Sequence, residues 1–517
     1  MKNKFNQIFF FLTLGIASSF TYGQDLQVSP SGIIFIESDS FLSVNNVNVE
    51  ADGDLIVTSN ASSSGSFLVN GTATGDVTYN RYLATTNWYL ASAPVVEQNI
   101  NSFVTEFPNN IMTNGDKIGI ATYENTVQGF NNWVHYTTST LAQSGNFNSG
   151  QGYALIRRSV GFISFKGELE NNEEVAVPML TPSGGHRWFS VGNPFTSFLP
   201  VNNTANADAL NVLGQNLNNL DPAFAALYIW DGASYTAINH VSSAVQLSPG
   251  QAFMVRAKDE DEEFIFSKNL THHPLSGLNP FSKTASAASL KLLLTDGKLE
   301  KHTEIKYLDV ATTGLDAGYD AGTYGGGAAS FAIDSHLVTD SNGLDFTLQC
   351  LPTNNYENTV IPLAVSANEG KSITFSAISS NLPSDMNVFI EDKTLTTYKL
   401  LDENNTYEVV LSERVAGIGR FYIHTSTGSV LGAEDFDKTA MNLYKSGNSL
   451  KITGISGEEE SSLRLYSILG KEIFTHSLTP GSGIQSILLP KGISIGVYVA
   501  RILTKDGKEF SKKIFIN

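Results

Sequence analysis

The sequence predicts an all-β, multidomain protein, and three observations predict it. Apolar residues recur in short alternating runs of strand period, bounded by Gly, Asn, Asp, Ser and Pro, with few stretches of helical period. At about 150 residues per domain, 517 residues make three or four domains, each large enough to bury its own core. Charged residues are 16% of the chain, against roughly 25% in average globular proteins, so Ser, Thr, Asn and Gly must cover much of the surface. The balance of 32 basic against 50 acidic residues, a formal charge of -18, excludes two function classes. A nucleic-acid binder needs clustered Lys and Arg for the phosphate backbone, and a protein that docks on an anionic membrane needs basic patches.

Residues 1–23 read as a secretory signal peptide. Lys2 and Lys4 precede the apolar run Ile8 to Ala17, and Thr21-Tyr22-Gly23 supplies small residues at -3 and -1 of a cut before Gln24. No cysteine follows the cut, so a lipoprotein acceptor is not expected. No later stretch approaches 18 apolar residues, and the mature chain is expected to carry no transmembrane span. Over 24–84, the clusters at Phe41, Leu55, Phe67 and Val77 are spaced by 10 to 14 residues, with Gly53, Gly65 and Gly75 before the last three. A glycine at each corner followed by a short strand predicts a short β-solenoid or a meander.

An internal repeat follows. Asn87-Trp88 to Pro94 aligns with Arg187-Trp188 to Pro194, Trp133 with Trp230, and Gly150-Gln151-Gly152-Tyr153 with Gly250-Gln251-Ala252-Phe253, at an offset close to 100 residues. The segments 85–180 and 181–275 are therefore expected as tandem β-sandwich-like repeats. All four tryptophans fall in this pair. They read as core residues, one per strand with apolar neighbours, and the rival reading is a sugar-stacking platform. A small-residue linker is expected over 276–289, a β-sandwich domain over 290–428, and a second polar linker over 429–440 before a final module, 441–517.

Motifs that carry chemistry are few. Cys350 alternates with polar residues on a strand and reads as a buried small hydrophobe, and as the lone cysteine it forms no internal disulfide. Gly492-Ile493-Ser494-Ile495-Gly496 fits the string of a serine hydrolase, but no histidine follows it and the stretch enters a β run. Adjacent His272 and His273 lack the spaced further ligands of a zinc site, and the acidic run 259–263 reads as a solvated hairpin tip. Asp316 and Asp320, among Gly314, Gly318 and Gly322, are the calcium candidates, although they lack the alternating acidic pattern of a calcium loop. The competing reading is a glycine-enabled turn with Asx hydrogen bonds.

The last module runs through Tyr466-Ser467-Ile468-Leu469-Gly470-Lys471, then Gly496-Val497-Tyr498, and ends in Lys512-Lys513-Ile514-Phe515-Ile516-Asn517. It resembles the type A C-terminal sorting domain of the type IX secretion system of Bacteroidetes. The matching positions are Tyr466, Leu469, Gly470, Lys471, Gly496, Tyr498, Lys512 and Lys513. Ser494-Ile495 depart from it where the family usually has a tyrosine before the glycine. The resemblance implies a seven-stranded Ig-like sandwich recognised by the outer-membrane secretion translocon, and often removed as the cargo is released or attached to the surface. Stretches within 188–266 and 316–424 are similar to modules of flavobacterial surface proteins and carry no reaction.

The expected protein is thus exported through the periplasm to the outer-membrane surface or the medium. It is not an enzyme, has no catalytic residues, and needs no cofactor unless calcium sits at Asp316 and Asp320. It acts in adhesion or polymer binding, with a polysaccharide or matrix ligand and no nucleic acid. The alternatives are an extracellular hydrolase whose paired carboxylates leave no sequence signature, and a structural stalk or scaffold.

Overall fold

A computed structural model describes residues 24–106, 109–126, 132–206, 210–274, 287–325, 329–357 and 359–426, and from 442 to 516 the segments 442–446, 449–453, 461–467, 470–479, 485–490, 492–494, 496–504 and 509–516. The predicted signal peptide 1–23, the linker 429–440, most of the linker 276–289, and Leu469 lie outside these residues. The fold is all-β: strands dominate every region, and the described α-helices are the short Ile100–Thr105 and Val212–Asn216.

The first eight strands are β1 (Leu26–Val28), β2 (Ile33–Ile36), β3 (Phe41–Val44), β4 (Val47–Val49), β5 (Asp54–Thr58), β6 (Ser66–Val69), β7 (Ala73–Thr74) and β8 (Val77–Leu83). Each strand pairs in parallel with the third one after it, giving the ladders β1-β4-β7, β2-β5-β8 and β3-β6. A meander would pair neighbours antiparallel, so the parallel register makes this a three-faced solenoid. Alternate residues point inward, and Val28, Val47, Val49, Leu55, Val57, Phe67 and Tyr79 are buried between the faces. Polar corners stack as well: the Asn46 side chain accepts from Thr72 N–H and donates to Asp25. Gly75 is required at its corner, because its φ is +83° and a Cβ there would lie 1.9 Å from the carbonyl oxygen of Val49.

The next strands are β9 (Tyr89–Ala91), β10 (Thr113–Asn114), β11 (Lys117–Tyr123), β12 (Trp133–Thr137), β13 (Tyr153–Leu155) and β14 (Gly161–Gly167), then β15 (Glu174–Leu180), β16 (Trp188–Gly192), β17 (Leu199–Pro200), β18 (Leu227–Trp230), β19 (Tyr235–Ile238), β20 (Gln246–Leu247), β21 (Ala252–Arg256) and β22 (Asp261–Ser267). The order β9-β13-β11-β12 in the first segment recurs as β16-β21-β18-β19 in the second. β14 pairs with β8 and β22 with β15, so each structural copy starts with the strand before its first tryptophan: the copies begin at β8 and β15. Since β8 is also the last rung of one solenoid face, solenoid and first copy share one continuous core from Val28 to Leu169.

Residues 288–426 hold β23 (Ala288–Thr295), β24 (Glu300–Leu308), β25 (Ala321–Gly322), β26 (Ala332–Ser335), β27 (Phe346–Pro352), β28 (Val360–Ala367), β29 (Ser372–Ser380), β30 (Asn387–Asp392), β31 (Thr397–Leu401), β32 (Tyr407–Val410) and β33 (Val415–Ser426). Where two stacked sheets were expected, the ladder runs unbroken as β31-β30-β33-β28-β26-β27-β24-β23-β29-β32, and its end strands lie against each other, so the sheet is nearly closed. Curvature makes the difference. The β28–β33 ladder shifts register between Leu363 and Val365, opposite Gly417 and Gly419, whose φ values are +96° and +121°. A bulge at that point bends the long strand and lets one sheet wrap around the core of Leu290, Leu292, Ile305, Phe375 and Ile423. Inside it Asp392 accepts a two-pronged pairing from Arg420 at 3.0 and 2.8 Å and the Tyr407 hydroxyl at 2.9 Å. That network satisfies a charge buried in an apolar interior.

The final module contains β34 (Asn442–Ser446), β35 (Ser449–Thr453), β36 (Ser461–Ser467), β37 (Glu472–Leu478), β38 (Gln485–Leu488), β39 (Gly496–Thr504) and β40 (Glu509–Ile516). They form the sheets β34-β35-β38 and β37-β36-β39-β40 around a separate core that includes Leu443, Leu463, Leu465, Ala500 and Ile502.

Candidate functional site

The two copies meet through the residues that made the repeat visible in sequence. Gly152 N–H donates to Ser190 O at 3.0 Å and Gly192 N–H to Gly150 O at 2.8 Å, while Ser92 N–H donates to Gly250 O at 2.9 Å, and the bridges Gln151–Val191 and Ala91–Gln251 lie between them. The Gly-Gln turn of each copy thus seals the end of the strand that follows the first tryptophan or carries it in the other copy, β9 or β16, a reciprocal contact with pseudo-two-fold character. Close approach fixes the small residues: a Cβ on Gly192 would lie 2.6 Å from Ser92 Cβ and 2.8 Å from Ala252 Cβ.

Around this junction the strand ends gather aromatic rings. Trp188 is 2% exposed, with the rings of Tyr228 at 5.0 Å, Phe224 at 5.5 Å and Tyr324 at 4.6 Å. Tyr324, from the curved-sheet domain, also contacts Tyr235 at 4.3 Å, and Tyr123 contacts Trp133 at 5.1 Å and His186 at 5.6 Å. Burial pushes the phenols of Tyr123, Tyr235 and Tyr324 well above the usual tyrosine range, so they stay neutral hydrogen-bonding groups. Trp88, the counterpart of Trp188, is 36% exposed; its ring neighbour is His135 at 5.4 Å, and its carbonyl accepts the indole N–H of Trp230 at 2.9 Å. Core and platform readings of the tryptophans thus divide by residue: Trp188 is core, Trp133 and Trp230 are half-buried, and Trp88 is at the surface.

A titratable cluster lies in the curved-sheet domain. His336 Nε2 and Asp345 Oδ1 are 2.6 Å apart, His336 Nδ1 and Ser341 Oγ 3.4 Å, and Thr323 donates to Asp334 at 2.5 Å. Burial, with a smaller contribution from the Asp345 charge, raises the Asp334 carboxyl to about 7. Ser341 is 2% exposed and its hydroxyl accepts from Gly343 N–H at 3.4 Å, which is the bonding of a turn residue.

The calcium candidates are turned onto backbone donors. Asp316 accepts from Thr312 N–H at 2.6 Å and Thr312 Oγ1 at 3.1 Å, and Asp320 from Asp316 N–H at 2.7 Å and Cys350 N–H at 2.6 Å. Each carboxylate thus reaches back to the residue four positions earlier, and Asp320 also across to β27, whereas an Asx turn would accept from the N–H two residues on. Among the described residues no group of three or more His, Cys, Asp or Glu side chains is placed to hold a metal. Cys350 is buried, its thiol donates to Tyr319 O at 3.2 Å, and burial, reinforced by the Asp320 charge, drives its pKa upward. His273 is fixed on the solenoid: its ring sits 4.7 Å from that of Phe41, with Nε2 2.6 Å from Ser43 Oγ and Nδ1 2.9 Å from Ser66 Oγ.

In the last module Gly470, with φ +79°, forms a tight turn in which its N–H bonds Ser467 O at 2.9 Å, and Lys471 follows it in solvent. Tyr466 lies opposite Val499, and Val499 opposite Lys513, so these residues share one row across the sheet. Gly496 opens β39, the Tyr498 hydroxyl bonds Ser494 O at 2.7 Å, and Lys512 reaches Ser341 O in the curved-sheet domain. Sequence reasoning missed Tyr324, His135, Asp334 and His336, because only the folded chain brings them to their partners.

A protein-family model described as a domain of unknown function, DUF8693, matches residues 13–424, and no curated protein matches the chain. The match stops inside β33, ahead of the final module. Covering well over half of the 517 residues, it shows that the chain belongs to the DUF8693 family.

Proposed function

We propose that the chain is an exported, non-catalytic protein, delivered by the type IX secretion system to the cell surface or the medium, where it acts in adhesion or polymer binding. One observation carries the proposal. The last module has its own core, lies beyond the family match, and bears Tyr466, Gly470, Lys471, Gly496, Tyr498, Lys512 and Lys513 in the pattern of the type A sorting domain. A terminal module with a separate core suits a signal that a translocon reads without disturbing the cargo. The half-exposed aromatic residues of the repeats support the binding role.

The test is to express the full chain, and a version lacking 442–517, in a bacterium with a working type IX system. The full chain is expected at the surface or in the medium, and the truncated chain in the periplasm. Equal display of both would overturn the delivery route. The hydrolase reading draws on one observation, the raised Asp334 carboxyl near Asp345 and His336. Product release from polysaccharides that disappears in Asp334→Asn would favour it over the non-catalytic reading.

A further inference from the structure

The two copies differ where their symmetry predicts equivalence. Ser190 pairs with Met254 and Met254 with Tyr228 in the second copy; Leu90 pairs with Ala154 and Ala154 with Ala121 in the first. The position that holds Tyr228 against Trp188 is therefore Ala121 beside Trp88. The second copy is covered further by Phe224 and by Tyr324 of the curved-sheet domain, and its tryptophan is 2% exposed, whereas that of the first copy is 36% exposed. One tryptophan has become a domain junction and its twin has been left open.

We infer that Trp88 and His135 of the open copy, with Trp230 contributed by the second, form a stacking platform for a neutral polysaccharide. The inference rests on the polymer-binding reading above and names its ligand class. The backbone around Trp88 is tied down: the Tyr89 hydroxyl accepts Thr85 N–H at 2.9 Å, and Trp88 O accepts the Trp230 indole N–H at 2.9 Å. A backbone fixed in this way need not be ordered when a sugar stacks on the ring it carries. Pyranose rings present flat C–H faces to such an indole, and the hydroxyls around their rims need polar partners. Exposed Asn87 lies next to Trp88, and the Asp231 turn next to Trp230; a Cβ on Gly232 of that turn would stand 3.7 Å from the Asn87 amide. The backbone N–H groups of Ser234 and Ala233 hold the Asp231 carboxyl below the usual carboxylate range, so it stays ionised. With that charge at the edge of the platform and -18 on the whole chain, uronic-acid polymers are repelled and neutral ones are not.

Native affinity electrophoresis of the full chain tests this, with gels containing hydroxyethylcellulose, galactomannan, alginate or no polymer. Expected is retardation of the wild type by at least one neutral polymer and not by alginate. Trp88→Ala should weaken it at least tenfold, Trp88→Phe should keep part of it, and Phe35→Ala, which removes an exposed ring of solenoid strand β2, should leave it unchanged. A matched melting curve establishes that Trp88→Ala is folded. Equal retardation of wild type and Trp88→Ala overturns the platform while leaving polymer binding standing. Retardation by alginate alone overturns the ligand class. A wild type retarded by no polymer overturns the platform, and if it also fails to bind whole cells and matrix proteins, the adhesion reading falls with it.

Discussion

Two buried acidic or thiol groups give sharp expectations at the scale of single residues. Cys350 combines a raised pKa with burial and a hydrogen bond to a carbonyl, so little of it is thiolate and less is accessible. Maleimide at pH 8 should leave the native protein unlabelled and react fully once it is unfolded; rapid native labelling would contradict the burial. Asp334 titrates near 7 in the fold against 3.8 in an unfolded chain. Its contribution to stability is therefore complete below about pH 3.8 and is lost as pH rises through about 7, on the order of 2–4 kcal/mol over that window. Asp334→Asn should remove this component, so urea midpoints at pH 5 and pH 8 should differ less in the variant than in the wild type. An unchanged difference would place the raised acid elsewhere.

Within elements, stability depends on corners and close approaches. Gly75→Ala must adopt a left-handed φ and push against Val49 O, which costs about 2 kcal/mol or more. At the junction of the copies, Gly192→Ala forces a methyl against Ser92 and Ala252 and should cost about 1–3 kcal/mol. Both are read from denaturant unfolding, with Gly297→Ala as a comparison: its Cβ meets nothing within 4 Å, so only the strain of its +83° φ applies. If Gly192→Ala proved no more costly than Gly297→Ala, the junction would not be closely packed.

Across the whole molecule, the histidine pair at 272–273 ties the end of the second copy back to the solenoid. Burial first, and the neighbouring His272 second, push His273 down to about 4. A base whose folded pKa is lowered contributes stability above about 6.5 and loses it as pH falls toward 4. Phe41, Ser43 and Ser66 surround the ring without offering a counter-charge. Acidification from pH 7 to pH 4.5 should therefore loosen the solenoid contact, seen as faster amide exchange in residues 41–44. His273→Gln should show less of that pH dependence, and equal dependence in both would mean another group is responsible. The final module, with its separate core, should be removable: deleting 442–517 should leave the melting of the remaining chain unchanged within error.

Alternation of apolar residues and the turn residues between them determined the all-β class, since strand period is a local property of the chain. The recurrent Gly-Gln positions carry their own explanation, because they join the copies, whereas Trp188 packs within its own copy and on Tyr324, and Trp133 and Trp230 lie on non-equivalent strands, β12 and β18. Which of two equal tryptophans is buried was not legible. Trp88 and Trp188 have similar local sequences, and the difference lies in Tyr228, which stands where the first copy has Ala121, in Phe224, and in Tyr324, contributed from more than a hundred residues away by a glycine-rich stretch without a periodic signal. Closure of one sheet where a sandwich was expected was equally hidden, since both architectures bury one face of every strand and only the bend at Gly417 and Gly419 separates them. The sequence by itself determined which residues form strands and which segments repeat. Only the tertiary structure decided which faces are covered, because covering a face depends on contacts between segments that the local pattern does not encode.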